Sequence, residues 1–174
     1  MERLLELTDI EIRMGFAASC VEAVAKRAGC SYSEMYQRMK RVGLINNYIM
    51  RHYDTIHTES RENITDSILE CLENWEAYQG ITAPKGTNLY LLRQKKKGNY
   101  EDDIIIKDII QWQRIGCIVV RLSERLDVSP EEAFDIFYES DTCRRFHDPK
   151  TGLYLYGDLY IVDEVMRELQ DKQG

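Results

Sequence analysis

The first half of the chain shows a helical spacing of apolar residues. From Asp9 onward these residues recur at intervals of four and three, which places them on one face of a helix of about five turns. That face comprises Ile10, Met14, Ala17, Val21, Val24 and Ala28. Gly29 stands where a glycine commonly ends a helix. Ser31 and Glu34 then form an S-x-x-E capping box, which predicts a second, shorter helix ending at Gly43.

A third long helix is predicted where the apolar spacing resumes and closes at Gly80. This helix is predicted through Ile64, Ile68, Leu72 and Trp75. Between the second and third helices lie a short apolar segment, residues 44–49, and the polar stretch from Arg51 to Ser60. The first 80 residues are therefore expected to form one small helical unit.

The second half repeats this plan. A long helix is predicted from an apolar stripe, with Gly116 on the same stripe, where the missing side chain favours close approach of another helix. The stripe comprises Ile105, Ile109, Trp112, Val119, Leu122 and Leu126. Ser129 and Pro130, followed by two glutamates, form the clearest helix start in the chain. After a turn over residues 148–152, a closing helix is predicted through Ile161, Val162, Val165 and Leu169.

Residues 81–100 differ in character from both halves. They contain Pro84, Gly86, Gly98 and the run Lys95–Lys97, which predicts a linker between an N-terminal unit, 1–80, and a C-terminal unit, 101–174. At an offset of 98 residues Val21, Arg27, Ser31 and Glu34 correspond to Val119, Arg125, Ser129 and Glu132. We therefore predict an all-α fold of two small helical units with an internal repeat, forming one or two bundles. A single helical domain with coincident caps remains the alternative.

Composition and charge narrow the class of protein. With 174 residues, 44% hydrophobic, 30% charged and only 3 Pro, the chain has the composition of a folded, helical, soluble protein. No apolar run approaches a membrane span, and Met1 to Ile10 carries acidic residues where a signal peptide is basic, so a cytoplasmic location is expected. The net charge is −7, and only residues 81–107 are basic, with 6 basic and 3 acidic residues. This balance disfavours nucleic acid as the main ligand.

The cysteines give no sign of a disulfide framework or a zinc site. The chain has 5, an odd number, widely spaced and never arranged as C-x-x-C. We expect buried free thiols in a reducing compartment.

Residues 24–36 resemble the helix-turn-helix of bacterial repressors, in which a glycine makes the turn and a serine caps the recognition helix. A local basic surface would accompany this motif, formed by Lys26, Arg27, Arg38, Lys40 and Arg41. The corresponding turn in the second half is lined by acidic residues, which repel phosphate. A DNA-binding regulator is thus one alternative, and a structural helical corner is the other.

The segment from Arg51 to Thr58 holds two of the three histidines. An arginine and a histidine at this separation resemble the R-x(4–6)-H motif of metal-independent ribonucleases of the helical toxin type, with His57 as general base and Arg51 steadying the phosphate. The structural alternative is that Tyr53 packs, that Asp54 and Thr58 cap the following helix and that His57 bonds the backbone. We also count Tyr53, His57 and Thr58 as candidate partner-binding residues; no metal site is expected here.

A third candidate site follows the strong turn at 148–152. Leu153, Tyr154, Leu155 and Tyr156 alternate, so one pair is expected to face inward and the other to be presented. Tyrosine offers a large contact area at low entropic cost, so Tyr154 and Tyr156 are candidate partner-binding residues. Closure of the helical core by these rings is the alternative.

These segments resemble a bacterial family catalogued as domain of unknown function 3791. The resemblance runs from about Phe16 to Leu72, through the Ser-capped helix and the segments 52–54 and 56–58, while 140–142 and 148–154 resemble small proteins of the same gene neighbourhoods. The family has no established activity. Its members are often encoded beside proteins of ADP-ribosyltransferase-like fold, which implies an antitoxin or accessory-partner role by association.

Because no Gly-rich phosphate loop, nucleophile motif or paired carboxylates stand out, we expect a non-enzymatic protein-interaction module without a cofactor. Its partner would be another protein, and self-association stays open. The DNA-binding regulator and the ribonuclease remain the alternatives.

Overall fold

The computed structural model describes residues 6–82 and 106–174, and throughout these ranges the regular secondary structure is helical. The all-α prediction is therefore confirmed. A π-helical segment at Ile45–Met50 and short 3-10 turns at Pro149–Thr151 and Leu153–Leu155 connect the α-helices. The α-helices are α1 (Asp9–Ala28), α2 (Tyr32–Val42), α3 (Tyr53–Ile56), α4 (Arg61–Tyr78), α5 (Ile106–Leu126), α6 (Pro130–Tyr138), α7 (Asp141–His147) and α8 (Asp158–Gln173).

Serine caps begin the helices where the sequence predicts them. The Ser31 hydroxyl accepts a bond from the Glu34 amide at 3.1 Å, and the Ser129 hydroxyl accepts one from Glu132 at the same distance. Gly43 ends α2 in the left-handed region, with φ of 73°, and its amide bonds the carbonyls of Met39 and Lys40. A side chain at this φ is strained, which explains why glycine marks the end of this helix.

The described residues form two compact units. The α4 unit contains those from Phe16 to Ile110, and the α8 unit contains those up to Gly15 together with those from Gln111 to Gly174. Helix α1 thus contributes residues to both units, and so does α5. Most of the predicted linker, from residue 83, lies outside the described residues, as does Ile105, so the boundary at 81–100 stays a prediction.

The α4 unit has its apolar core among α1, α2 and α4. The predicted core positions of α2 are buried, namely Met35, Tyr36, Met39 and Val42. A buried ion pair joins α2 to α4, in which the Arg38 Nη2 lies 2.6 Å from the Glu76 Oε1. The predicted helix over residues 64–75 is confirmed as α4, in which Ile64, Ile68 and Leu72 are buried and Trp75 is half-buried.

The α8 unit is held by aromatic and aliphatic side chains of α5 to α8. Its buried residues include Ile115, Val119, Leu122, Phe134, Phe137, Phe146, Ile161, Val162 and Val165. The prediction of a close helix approach at Gly116 is confirmed, because a Cβ there would lie 2.4 Å from the Glu11 carbonyl oxygen and 2.7 Å from the Gly15 nitrogen. The approaching helix is α1.

Two kinds of sequence prediction are wrong. Ile10 and Ile109 belong to the predicted apolar stripes but are exposed, since each lies in the first turn of its helix. The other error concerns short helices: the apolar spacing predicts no separate helix over residues 140–147, whereas Ser140 caps α7 there, its hydroxyl accepting a bond from the Cys143 amide at 3.0 Å. A helix of seven residues is too short to show a periodic apolar face.

Candidate functional site

The segment that leads into α8 is built from tight turns. Asp148 accepts a bond from the Lys150 amide at 3.0 Å, and Gly152 adopts a φ of 68° before the second 3-10 turn. The predicted turn is confirmed, but the predicted inward and outward alternation is wrong. Because the chain forms a 3-10 turn here, Leu153 is buried, Tyr154 is half-buried, and Leu155 and Tyr156 are both exposed.

Four exposed apolar side chains lie together in sequence at the start of α8. They are Leu155, Tyr156, Leu159 and Tyr160, with exposed fractions of 74%, 52%, 59% and 38%, and we call them the α8 patch. The rings of Tyr156 and Tyr160 stack with centroids 4.5 Å apart, and the Arg167 guanidinium lies 5.9 Å from the Tyr160 ring centre. Sequence reasoning singled out Tyr156 but missed the two leucines as presented residues.

Arg114 of α5 fixes the backbone of this segment. Its guanidinium donates to the carbonyl oxygens of Tyr154 and Tyr156, each at 2.5 Å, and its Nε donates to Asp158 at 2.8 Å. The same group lies 5.1 Å from the Phe146 ring centre. Arg114 therefore positions both candidate tyrosines through their backbone. No local motif in the sequence indicates this role, since Arg114 lies 40 residues from Tyr154.

Glu168 of α8 holds the beginning of α7. Its carboxylate accepts bonds from the Asp141 amide, the Thr142 amide and the Thr142 hydroxyl at 2.8, 3.0 and 2.9 Å, and Lys172 also donates to it. Partial burial opposes ionisation, but these hydrogen bonds outweigh it and lower the pKa of Glu168 to about 2. The anion is therefore a structural part of the α8 unit at neutral pH.

The segment from Arg51 to Thr58 belongs to the α4 unit, and only part of it is presented. Tyr53 is buried, with its ring stacked on His57 at 4.4 Å and edge-on to Phe16 at 5.2 Å. His57 and Thr58 are exposed. The His57 Nδ1 lies 2.7 Å from the Tyr53 carbonyl oxygen, so the tautomer with a proton on Nδ1 donates this bond. These contacts confirm the structural alternative for Tyr53 and His57.

The predicted cap of α4 by Asp54 and Thr58 is wrong. The cap is Ser60, whose hydroxyl accepts a bond from the Asn63 amide at 3.2 Å, while the Thr58 hydroxyl donates to the Thr55 carbonyl at 3.1 Å. Arg51 is exposed at the end of the π-helical segment. The tyrosines at 53 and at 154 and 156 lie in different units.

The basic residues of the helix-turn-helix candidate are largely engaged in ion pairs. Arg27 contacts Asp66 at 2.6 Å with only 4% of its side chain exposed, and Arg38 is buried against Glu76. Lys26 contacts Asp108 at 2.6 Å. Lys40 and Arg41 are exposed, although Arg41 also approaches Glu76, at 3.4 Å. This arrangement favours the structural helical corner, because two of the five cations point into the unit.

The cysteines are free thiols, as predicted. Cys20 and Cys143 are buried, whereas Cys30, Cys71 and Cys117 are half-buried, so the expectation of burial is wrong for three of them. Burial raises the pKa of the Cys20 thiol to about 11, which keeps it protonated at neutral pH. Residues 6–82 and 106–174 contain no group of histidine, cysteine and carboxylate side chains that could hold a metal ion.

The structure defines an all-α protein whose described residues form two compact helical units. Residues 15–75 match the family model described as Protein of unknown function (DUF3791), which confirms the resemblance over this part of the chain. The match extends from α1 to α4. No curated protein and no solved structure matched the chain in the corresponding comparisons. None of the helices in the described ranges is both long enough and apolar enough to span a membrane.

Proposed function

We propose that the protein is a non-enzymatic protein-interaction module whose docking surface is the α8 patch. The observation that carries this proposal is the exposure of four large apolar side chains within six residues, Leu155 to Tyr160. Exposed apolar side chains scattered singly are ordinary, whereas contiguous ones mark sites of association. Tyrosine is moreover enriched at protein interfaces.

The backbone that carries the patch is held firmly. Arg114 donates to the Tyr154 and Tyr156 carbonyls, and Leu153 anchors the 3-10 turn in the core. A docking surface with a fixed backbone loses little conformational freedom on binding, which increases the affinity gained from the same contacts. The backbone of the patch is thus held in place before a partner binds and is not a frayed helix end.

Charge indicates the class of partner. Residues 108–174 hold 8 basic and 14 acidic side chains, and Asp158, Asp163 and Glu164 lie in the first two turns of α8. Each of these three carboxylates contacts an arginine of the same unit, respectively Arg114, Arg125 and Arg145. The surplus of acidic groups favours a partner with a basic rim around an apolar centre, and association with it would slow as salt increases.

An antitoxin or accessory role toward a protein of ADP-ribosyltransferase-like fold is the specific form of this proposal. Its support is the gene neighbourhood of the resembled family, which is association rather than mechanism. The acidic surface supplies a physical reason, because it would mask a basic groove that binds the phosphates of a dinucleotide. Purified proteins of that fold from the same genome are therefore the first partners to test.

The test is a quantitative binding measurement on patch variants. Tagged wild-type protein is first used to recover a partner from its own host, with the eluate analysed for protein and nucleic acid. The recovered partner, purified separately, is then titrated by calorimetry against wild type, against the variant Tyr156→Ala plus Leu159→Ala, and against a matched control, Ile106→Ala plus Ile110→Ala. The control removes two exposed apolar side chains outside the patch.

We expect the patch variant to bind at least tenfold more weakly, because loss of central apolar contacts at an interface costs about 2 kcal/mol or more. Its unfolding midpoint should equal that of wild type, since the removed side chains are exposed. Equal affinities of the patch variant and the control would overturn the proposal, and so would recovery of nucleic acid with no protein.

A further inference from the structure

A second aromatic surface lies on the α4 unit, at the carboxyl end of α4. A surface cavity of about 380 Å³ lies at the carboxyl end of α4, lined by Asn74, Trp75 and Tyr78 of the helix and by Gln79, which follows it. Tyr78 is 93% exposed, which is unusual for so large an aromatic side chain. The Tyr48 ring lies beside Trp75, with centroids 6.4 Å apart and planes at 80°. The two rings thus contact each other edge to face, a geometry that aromatic pairs favour.

A carboxylate lies beside the described lining of this aromatic cavity. Glu70 is on α4, one turn before Asn74. Burial, and then the charges of neighbouring groups including Glu59 and Glu70, raise the pKa of the Tyr48 hydroxyl. The carboxyl end of α4 adds partial negative charge, and its last turn contains no basic residue. Arg38 and Arg41 do contact α4, but at Glu76, which is buried.

We propose that this cavity binds the arginine side chain of a partner protein. A guanidinium is planar and weakly hydrated, so it stacks on tyrosine and tryptophan faces while nearby carboxylates balance its charge. The amide oxygens of Asn74 and Gln79 are of the type that accepts guanidinium hydrogen bonds. A neutral side chain of the same shape would gain neither the cation–π attraction nor the attraction of the glutamates.

The inference does not depend on the α8 patch. The cavity and the patch lie in different units and share no residue. A partner that binds the patch is not required for an arginine to bind the cavity, and failure of either proposal leaves the other standing.

The test uses nuclear magnetic resonance on the full chain. The chain has 2 tryptophans, so its two indole N–H signals are assigned by comparison with Trp75→Phe. The probes are N-acetylarginine methylamide, which represents an arginine within a chain, its citrulline counterpart, which has the same shape without the charge, and free arginine. The variants are Tyr78→Ala and, as a control that removes an exposed apolar side chain of the other unit, Ile12→Ala.

We expect the blocked arginine to shift the Trp75 indole signal in a saturable manner, with a dissociation constant on the order of 10 mM. The citrulline probe should bind at least about tenfold more weakly, and Tyr78→Ala should weaken binding of the blocked arginine about fivefold. Ile12→Ala should bind like wild type. The Tyr78 side chain is almost wholly exposed, so its loss should leave the unfolding midpoint unchanged.

Three results would overturn the proposal. An unmoved Trp75 signal would show that no arginine binds in the cavity. Equal binding of the arginine and citrulline probes would show that charge is not recognised. Tighter binding of free arginine than of the blocked form, by about tenfold or more, would identify a free amino acid rather than a protein side chain as the ligand.

Discussion

Gly116 sets the distance between α5 and the first turns of α1. The space that its Cβ would occupy is filled by backbone, the Glu11 carbonyl and the Gly15 amide, rather than by the flexible end of a side chain. Backbone cannot move aside without shifting a whole helix. One absent side chain thus determines the packing of two helices in the α8 unit.

Gly116→Ala should lower the free energy of unfolding by about 1–3 kcal/mol or more, because the added methyl overpacks two backbones. Urea denaturation followed by circular dichroism measures this change. The matched control is Gly157→Ala, where nothing lies within 4 Å of the added Cβ and φ is −69°. If the two variants are equally stable, the close approach at Gly116 is not as described.

Glu168 should make stability depend on acid pH. Its pKa is lowered to about 2 in the folded protein from a usual value of 4.5, so the carboxylate stabilises the fold above about pH 4.5. That contribution is lost as the pH falls from about 4.5 toward 2. Glu168→Gln should therefore destabilise the protein by about 1–2 kcal/mol at pH 7, and the difference from wild type should shrink over this range.

Urea midpoints of wild type and Glu168→Gln at several pH values measure this difference. Glu124→Gln, which removes the same charge from an exposed position of α5, is the control and should change stability by about 0.5 kcal/mol or less. A difference between wild type and Glu168→Gln that stays constant from pH 7 to pH 2.5 would contradict the role assigned to this carboxylate.

Single residues with local roles were predictable, and residues with distant partners were not. Ser31, Ser129, Gly43 and Gly116 act through capping, turn geometry or the absence of a side chain, so their roles follow from the sequence around them. Arg114 acts on carbonyls 40 and 42 residues away, and no local pattern encodes such a contact.

At the scale of elements, the buried pair Arg38 and Glu76 links α2 to α4. Arg38 is on the helix that resembles a recognition helix, yet its side chain is buried. Only 9% of the Arg38 side chain and 1% of the Glu76 side chain are exposed. The same arginine cannot also contact a DNA backbone in this arrangement. The sequence suggested a basic surface because it shows the residue types of α2. It does not show that Arg38 contacts the carboxylate at position 76.

Arg38→Met should destabilise the protein by about 3–5 kcal/mol, because it leaves the Glu76 carboxylate buried with only the more distant Arg41 beside it. Adding Glu76→Leu to the same chain should recover much of this loss, since two apolar side chains then face each other. Calorimetric or urea unfolding of the two single variants and the double variant measures the coupling. A double variant as unstable as the sum of the single ones would show that the two residues do not interact.

The sequence patterns did not predict the short and irregular elements. The π-helical segment Ile45–Met50 and α7 are six and seven residues long, which is too few for a period to emerge. The presented surfaces lie beside such elements. Tyr48 belongs to the π-helical segment, and Leu155 belongs to a 3-10 turn. The candidate sites were therefore harder to predict than the long helices.

For the whole molecule, both units share a plan of long helix, Ser-capped helix and closing helix. In each unit an arginine near the end of the long helix contacts an aspartate of the closing helix, Arg27 with Asp66 and Arg125 with Asp163. The arginines are 98 residues apart and the aspartates 97. These pairs extend the predicted internal repeat from capping residues to contacts between helices, although the repeat itself stays a prediction.

A chain cut at the predicted linker should yield a C-terminal fragment less stable than the same residues in the whole protein. The α8 unit includes residues up to Gly15, and fragment 101–174 lacks the α1 backbone that packs on Gly116. Urea unfolding followed by circular dichroism should show a lower midpoint for the fragment. Adding a peptide of residues 6–28 should raise that midpoint, and a peptide with Gly15→Leu should raise it less.

An unchanged midpoint for fragment 101–174 would contradict the assignment of the first part of α1 to the α8 unit. It would instead favour the predicted division at 81–100. The experiment therefore also decides between the two ways of dividing the chain.

The stacked rings of Tyr156 and Tyr160 affect the thermodynamics of association. The two rings stack on each other, and the Arg167 guanidinium lies over the Tyr160 ring. These contacts restrict the rotamers of both tyrosines before a partner binds. Freezing a mobile side chain at an interface costs about 0.5–1.5 kcal/mol. A partner of the α8 patch would avoid most of this entropic cost at two positions, so binding should show a smaller unfavourable entropy than its buried area suggests.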